Sequence, residues 1–358
     1  MLKWNYVAKS EKETGYEDII PSIACTPYDF SIMSPEKQES YIKHIIHILR
    51  TRDIFPIYYY NEQGVFNEIK NVIDKEVSLE KGVNHKMNAG VDLLNYLFPN
   101  LHTVIVRGAA ENVYDIFHND EKLYKILRYY LAHYPFNNVK TAFLMPARYL
   151  WPSASNFLPL RAKAVYEHFC EDGDTVYDYA AGFGGRMLGC LSSKKNLKYI
   201  GTDPNTETAI HLRELGASIE KVTGRKGSHN IFNCCSEELE LPGESIDFVF
   251  SCPPYYKVEH YSKEETQCAN RYKTYKDWLN GYVKPTVKHS FDCLRKGKYY
   301  GVVLANSAVF GYERPFVEDW SKIALETGFK AYGEPIDLKI NNRKGDEKLY
   351  VFRKEPTL

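Results

Sequence analysis

The stretch with the most chemistry per residue is Asp247-Phe248-Val249-Phe250-Ser251-Cys252-Pro253-Pro254-Tyr255-Tyr256. Its first half reads as the end of a buried strand, which Pro253 and Pro254 then stop because neither can donate to a ladder. What remains is a stiff strand end with exposed carbonyls and a flat ring beside them. That suits the grip of a planar, amine-bearing group, with Ser251, Cys252, Pro253, Pro254 and Tyr255 as the candidate catalytic residues. An ordinary strand-to-loop exit would use the same residues, so the rest of the chain has to discriminate between them.

A second stretch lies upstream, Asp178-Tyr179-Ala180-Ala181-Gly182-Phe183-Gly184-Gly185-Arg186. It falls between a predicted strand and a predicted helix, where glycines let the backbone approach a ligand closely. A tight turn with no ligand would look the same. Two further features raise the binding reading. Gly201-Thr202-Asp203-Pro204-Asn205 ends the next strand with an acid placed to take both hydroxyls of a ribose. Asn233-Cys234-Cys235-Ser236-Glu237-Glu238 ends the third strand, where an adenine edge would be read. There is no GxGxxG, and the glycine loop begins with an acid, Asp178, that can hold an ammonium through a water or a backbone turn. A ligand with an amino-acid end, a ribose and an adenine matches all three places, and S-adenosylmethionine is that ligand. The cofactor-binding candidates are Asp178, Ala180, Gly182, Gly184, Asp203, Pro204 and Cys235.

These residues need a scaffold, and the pattern from Thr175 onward supplies one. Strands are expected at Thr175 to Tyr179, Tyr199 to Thr202, Ser228 to Cys234, Ile246 to Ser251, Lys298 to Ala305 and Lys348 to Arg353. Helices are expected from Arg186 to Leu191, Thr206 to Leu215, Trp278 to Leu294 and Phe316 to Thr327. Such alternation argues a mostly parallel sheet flanked by helices. Before residue 150 the pattern is mainly helical. Ser34-Pro35-Glu36 starts a helix with a cap, a first-turn proline and an acid at the positive end of the dipole. Ile42, Ile45, Ile46 and Leu49 share one face of it. Further helices are expected over Phe66 to Ile73, Ala89 to Phe98 and Glu121 to His133, a short strand or extended segment over Phe55 to Tyr60, and a strand over Leu101 to Val106. Residues 141–160 read as a proline-rich connector, followed by a helix from Pro159 to Cys170. His44, His47, His85, His102, His118 and His133 are isolated, which favours packed or surface roles over ligation.

The chain has 358 residues, 44% hydrophobic and 26% charged, with zero net charge and a pI of about 7.1. This is globular composition, and it excludes a strongly basic polyanion binder. None of the eight cysteines forms a CxxC pair, so no metal site is expected, and scattered thiols point to a reducing cytoplasm. No apolar leader or long apolar run marks a signal peptide or a membrane span. Between Lys257 and Lys298, ten Lys and Arg stand against five Asp and Glu, interleaved with Tyr261, Tyr272, Tyr275 and Trp278. A basic, aromatic surface of that kind fits phosphate contacts and base stacking, and a solvated loop of ordinary charge fits the same residues.

Together the residues resemble the amino-methyltransferases of DNA, which methylate the exocyclic nitrogen of cytosine or adenine. Asp178 to Gly184 is similar to their glycine motif, and Cys252 to Tyr255 to their catalytic motif, an Asp, Asn or Ser followed by Pro-Pro-Tyr or Pro-Pro-Phe. Asn156 to Arg161 resembles the segment over the methionine moiety and adds Phe157 to the cofactor candidates. Val258 to Ser262, with Gln267 and Trp278, resembles the loop after the motif in phage and bacterial members. The resemblance covers about 156–355, and residues 1–150 resemble no family. It implies an α/β fold, with a Rossmann-like class I methyltransferase domain over 151–358 and a mostly helical α+β auxiliary or recognition domain over 1–150. It also implies S-adenosylmethionine as cofactor and a nucleic-acid partner, DNA before RNA, with cytosine N4 favoured over adenine N6. In such a site the first motif residue and the following proline carbonyl accept the amine N–H bonds, and the aromatic ring stacks on a flipped-out base. Here the first residue is Cys252, and a thiol is a poor acceptor. Three readings of it stand: a substitute for Ser, a nucleophile toward a pyrimidine carbon, or a site that is degenerate or serves an unusual substrate. Two other functions therefore remain beside DNA methylation: nucleic-acid binding without turnover, and modification of a different nucleotide or small amine.

Overall fold

In the computed structural model, residues 3–79, 87–106, 109–306, 315–338 and 347–356 are described. His85 lies outside them. The chain divides into two units, Met1–Val65 with Asn95–Ser155, and Phe66–Leu94 with Asn156–Leu358. The units are therefore not the contiguous halves expected from a boundary at residue 150. Lys163 supplies a physical reason. This buried ammonium donates to the carbonyls of Val72, Ile73 and Lys75 at 3.1, 2.7 and 2.7 Å. It thereby satisfies the exposed carbonyl end of helix Glu62–Asp74 and ties Phe66–Leu94 to the sheet-bearing unit.

The first unit is mostly helical. Helix α1, Pro35–Arg52, begins at Ser34, whose hydroxyl accepts from the Lys37 amide at 3.4 Å. It buries Ile42, Ile45, Ile46 and Leu49 as its spacing predicts. Helix α2, Asp120–His133, starts at the Asn119 cap and buries Leu123, Ile126, Leu127 and Tyr130. Helix α3, Val139–Leu150, replaces the expected connector. Its cap, Asn138, accepts from the Thr141 amide at 2.9 Å, and Ala142, Phe143 and Ala147 are buried with nothing exposed. Burial of that stripe outweighs the hydrogen bond lost at Pro146. Phe55 to Tyr60 is not a strand: it makes only a single bridge, Glu13 with Tyr59. Leu101 to Val106 is mostly a 3-10 turn, Pro99–Thr103, followed by a two-residue strand, Ile105–Val106. His102 is a packed residue. Its Nε2 lies 3.0 Å from the Asn95 carbonyl, its ring tilts against Trp4 and Phe55, and burial pushes its pKa down to about 3.

The second unit is built on one twisted sheet. Its strands are β1 Thr175–Asp178, β2 Lys198–Thr202, β3 His229–Phe232, β4 Ile246–Ser251, β5 Leu294–Leu304, β6 Lys330–Ala331 and β7 Lys348–Arg353. Their order is β3-β2-β1-β4-β5-β7-β6, and Ile336–Asp337 also pairs with β7. Strands β1 to β5 are parallel, whereas β7 runs antiparallel to both of its neighbours β5 and β6. This is a Rossmann-like α/β sheet with one reversed strand inserted near the edge, the class I methyltransferase arrangement. Every residue of β4 is buried, as a central strand covered on both faces requires.

Helices α4 Pro159–Phe169, α5 Gly185–Leu191, α6 Thr206–Thr223, α7 Lys284–Cys293 and α8 Phe316–Thr327 flank the sheet. Helix α5 lies unusually close to α4. A Cβ at Gly185 would sit 2.0 Å from the Phe157 carbonyl oxygen, and one at Gly189 would sit 2.4 Å from that of Pro159. The helix expected over Trp278 to Leu294 runs without interruption from Tyr275 to Cys293, with a wider π turn at Leu279–Val283 between its first turn, Tyr275–Trp278, and α7. Pro285 sits in the first turn of α7, where its missing N–H would otherwise break the ladder. The order of the strands reverses at β1, whose neighbours are β2 on one side and β4 on the other. A crevice is expected at the carboxyl ends of strands at such a switch point.

Candidate functional site

Both motifs end at that switch point. The glycine loop leaves β1 and the Ser251 to Tyr255 segment leaves β4, and the two strands pair in parallel. At their junction lies Asp178, which is fully buried. Its Oδ2 accepts from Arg186 Nε at 2.8 Å and from the Tyr199 hydroxyl at 2.7 Å. Its Oδ1 accepts from the Ser251 hydroxyl at 2.7 Å, and from Arg186 Nη2 and the Ala180 amide at 3.3 Å. Arg186 also donates to the Ala180 carbonyl and lies over the Phe157 ring. Burial pulls the guanidinium toward neutrality, and Asp178 more than offsets this, so Arg186 keeps its charge.

This geometry gives two of the candidate residues partners within the fold. Asp178 does not face a ligand with a spare oxygen; its carboxylate ties the ends of β1, β2 and β4 together. Ser251 is likewise turned away from the crevice, because alternation along the strand points it into the same hub. Both are positioning residues. Arg186 and Tyr199, which complete the hub, had no sequence signal beyond their place at the end of the glycine loop and inside β2.

The other glycine-loop residues form a cradle. Gly182 and Gly184 have φ of +56° and +76°, left-handed values that favour glycine. A Cβ at Gly182 would meet only the Ala180 carbonyl, at 3.8 Å, so this turn borders open space. The Gly182 amide donates to Asp203 Oδ2 at 3.0 Å, and the Asn205 amide to Oδ1 at 2.9 Å. Each oxygen keeps acceptor capacity for a hydroxyl. Burial pushes the Asp203 pKa up to about 7 against those two amides. Pro204 holds the next turn, and its carbonyl accepts from Asn233 Nδ2 at 3.2 Å. Cys235 is buried, with its thiol directed at the Thr266 carbonyl and pushed up to about 11 by burial. Phe157 stands edge-on to Phe250 and under Arg186, beside the glycine loop.

Beyond β4 the chain places Cys252, half-buried, at the start of the loop. Burial, with Glu347 adding to it, holds the thiol well above its ordinary range. The shift favours the protonated thiol, the weaker nucleophile, and so counts against the nucleophile reading. Tyr255 packs on Phe316 with ring centroids 5.4 Å apart, and its hydroxyl donates to Glu347 Oε1 at 3.4 Å. Tyr261 reaches back to the glycine loop, 6.1 Å from Phe183 between ring centroids.

The basic, aromatic stretch is less open than its composition suggests. Tyr256, Tyr272, Trp278 and Tyr282 are buried in one core cluster with Phe316 and Trp320. The Tyr256 hydroxyl donates to the Lys273 carbonyl at 2.6 Å, and the Tyr272 hydroxyl to Glu237 at 2.6 Å. Arg271 pairs with Glu237 and Glu238, Lys288 with Asp292, Arg295 with Asp247, and Lys298 with Asp174. Much of the local positive charge is thus met within the fold.

No family model and no curated protein matches the chain. Among solved structures it is similar to a TehB-like SAM-dependent methyltransferase from Corynebacterium glutamicum, at 14% identity over 55% of this chain and 88% of that one, with a TM-score of 0.37. It is also similar to a SAM-dependent methyltransferase from Methanosarcina mazei, at 14% identity over 53% and 97%, with a TM-score of 0.37. A third is phosphoethanolamine N-methyltransferase 2 of Haemonchus contortus, at 14% identity over 55% and 52%, with a TM-score of 0.38. Likenesses this distant carry no weight here; the fold rests on strand order and register.

Proposed function

We propose that this protein is an S-adenosylmethionine-dependent methyltransferase acting on an exocyclic amine, with cytosine N4 or adenine N6 of DNA as the acceptor. The observation that supports it most is the meeting of two motifs on adjacent parallel strands at the switch point of the sheet. One is the glycine cradle joined to Asp203 by the Gly182 amide, and the other is the Cys252-Pro253-Pro254-Tyr255 exit from β4.

The cofactor fits the residues present. Asp203 would take the ribose hydroxyls, the turn at Gly182 borders the space for the amino-acid end, and the segment after β3 carrying Cys235 flanks the adenine. When bound, S-adenosylmethionine supplies an electrophilic methyl group. The chain's task is then to hold the acceptor nitrogen in line with it, which is mostly positioning. Pro253 and Pro254 fix the direction of the exit, and the Pro253 carbonyl is an acceptor for one N–H of the amine. Tyr255, braced by Phe316, supplies a flat wall for a planar acceptor.

A second reading, transfer to the amine of a smaller nucleotide or another small molecule, is favoured by the burial of Tyr256, Tyr272 and Trp278, which removes much of the expected base-stacking surface. Transfer of tritiated methyl from S-adenosylmethionine to unmethylated DNA of varied sequence, followed by mass spectrometry of the nucleosides, separates the two. N4-methylcytosine or N6-methyladenine is the expected product. Absence of both, with label entering a free nucleotide or small amine, selects the second reading. Absence of cofactor binding by calorimetry sinks both.

A further inference from the structure

The sequence lacks a carboxylate or amide where the resemblance places one, at Cys252, but the fold brings two carboxyls to that place from elsewhere. Glu347 leads into β7 and accepts from the Tyr255 hydroxyl at 3.4 Å, inside the motif itself. Glu259 lies on the loop after the motif, and its Oε2 is buried with no hydrogen-bond partner among the described residues. The two side chains interact with each other, and both interact with Cys252 and Tyr255. Tyr261, two residues on from Glu259, lies against Phe183 of the glycine loop, so the segment that carries Glu259 reaches the cofactor cradle.

We propose that Glu259 and Glu347 supply the polar function missing at Cys252 and together receive the acceptor N–H that the Pro253 carbonyl does not take. The proposal rests on the methyl-transfer reading above and deepens it: the acceptor must be a nitrogen with a proton to give, a primary or secondary amine or an exocyclic amino group. The nitrogen lone pair forms the new N–C bond, the electron pair of the broken C–S bond stays with the donor sulfur, and the displaced N–H proton passes to the ionised member of the pair. Titration agrees with that duty. Burial, with Glu347 adding to it, pushes Glu259 up to about 8, partly offset by the Tyr261 hydroxyl. Burial also raises Glu347, against the bond from Tyr255. Two neighbouring carboxyls that resist ionising together gain most from a cationic or proton-giving neighbour. The groups facing Glu259 are Glu347, Cys252, Tyr255 and Tyr261, with Arg186 and Asp203 also acting on Tyr261.

The test does not need the acceptor. Sinefungin carries a protonated amine where S-adenosylmethionine carries its methyl group, and S-adenosylhomocysteine carries neither. Calorimetric affinities for both ligands are measured for the wild-type chain, Glu259→Gln and Glu347→Gln. The wild-type chain is expected to prefer sinefungin, and each variant to lose about fivefold or more of that preference while binding S-adenosylhomocysteine unchanged. In the wild type the preference rises with pH toward a plateau above the Glu259 value, and in Glu259→Gln that rise is lost. An equal preference in all three proteins, with S-adenosylhomocysteine bound normally, overturns the proposal and leaves the methyltransferase reading intact. Failure of the wild-type chain to bind S-adenosylhomocysteine overturns both.

Discussion

Replacement of Arg186 by Met tests whether the Asp178 hub organises the site. Asp178 accepts five hydrogen bonds at 2.7 to 3.3 Å, two of them from Arg186, and neither partner is more than 5% exposed. Met fills most of the aliphatic volume of Arg but leaves the carboxylate buried without a counter-charge. Breaking such a pair costs about 3–5 kcal/mol. For a folding unit of this size, each kcal/mol moves Tm by about 2–4 °C, so the transition of the sheet-bearing unit should fall by about 6–20 °C. Differential scanning calorimetry of the whole chain reads this directly. The second arm is the double variant Arg186→Met with Asp178→Asn. If the damage comes from the orphaned charge, the double variant is less destabilised than the sum of the singles by about 1–3 kcal/mol. A Tm loss under about 2 °C in Arg186→Met, or strict additivity in the double variant, would refute the idea that a buried ion pair holds β1, β2 and β4 in register at the site.

Four further outcomes are expected. Asp203 must be ionised to accept two ribose hydroxyls and titrates at about 7, so affinity for S-adenosylhomocysteine should rise about tenfold between about pH 6 and pH 8 and stay flat in Asp203→Asn. The unliganded fold keeps that proton where the unfolded chain loses it, so stability falls as pH climbs from the ordinary carboxylate range toward about 7, and Asp203→Asn removes the fall in thermal scans. Gly185→Ala puts a methyl 2.0 Å from the Phe157 carbonyl, so it should weaken cofactor binding and lower Tm more than Gly182→Ala, where the cost is a left-handed φ of +56° at about 1–2 kcal/mol. Cys252 should resist iodoacetamide at neutral pH, and Cys252→Ala should keep methyl transfer within about tenfold; complete loss with a trapped adduct would revive the nucleophile.

The sheet was legible because its signals are local. Phe316 to Thr327 and Lys348 to Arg353 are observed at their expected limits, and Ile246 to Ser251 reads as a fully buried run. The departures have tertiary causes. Val139–Leu150 is a helix because its apolar face finds a core that outweighs Pro146, and no window of sequence shows that core. The segment from Phe66 to Leu94 joins the sheet-bearing unit through Lys163, a contact across about ninety positions. At the site, the glycine cradle and the Asp203 turn were readable because each sits at the end of a strand. Glu347 was not, since it lies 95 positions after Cys252 in a stretch with no motif of its own. The aromatic stretch misled for a related reason: Tyr and Trp serve a core as well as a stacking surface, and only packing separates the two.

The strand alternation that hides Ser251 also explains why the thiol matters. Adjacent residues at the end of β4 point to opposite sides, so with Ser251 committed to Asp178, the crevice side belongs to Cys252. A Ser or Asp at 252 would meet Glu347 and Glu259 as a third polar group in a space where two carboxyls already resist ionising. An Asp there would add a like charge, and a thiol adds none while filling similar volume. Cys252 is thus compatible with a site whose polar work has moved to Glu259 and Glu347. Cys252→Asp should accordingly raise the carboxyl pKa values further and slow transfer instead of restoring it, the opposite of the gain expected if the thiol were simply a weakened Ser or Asp.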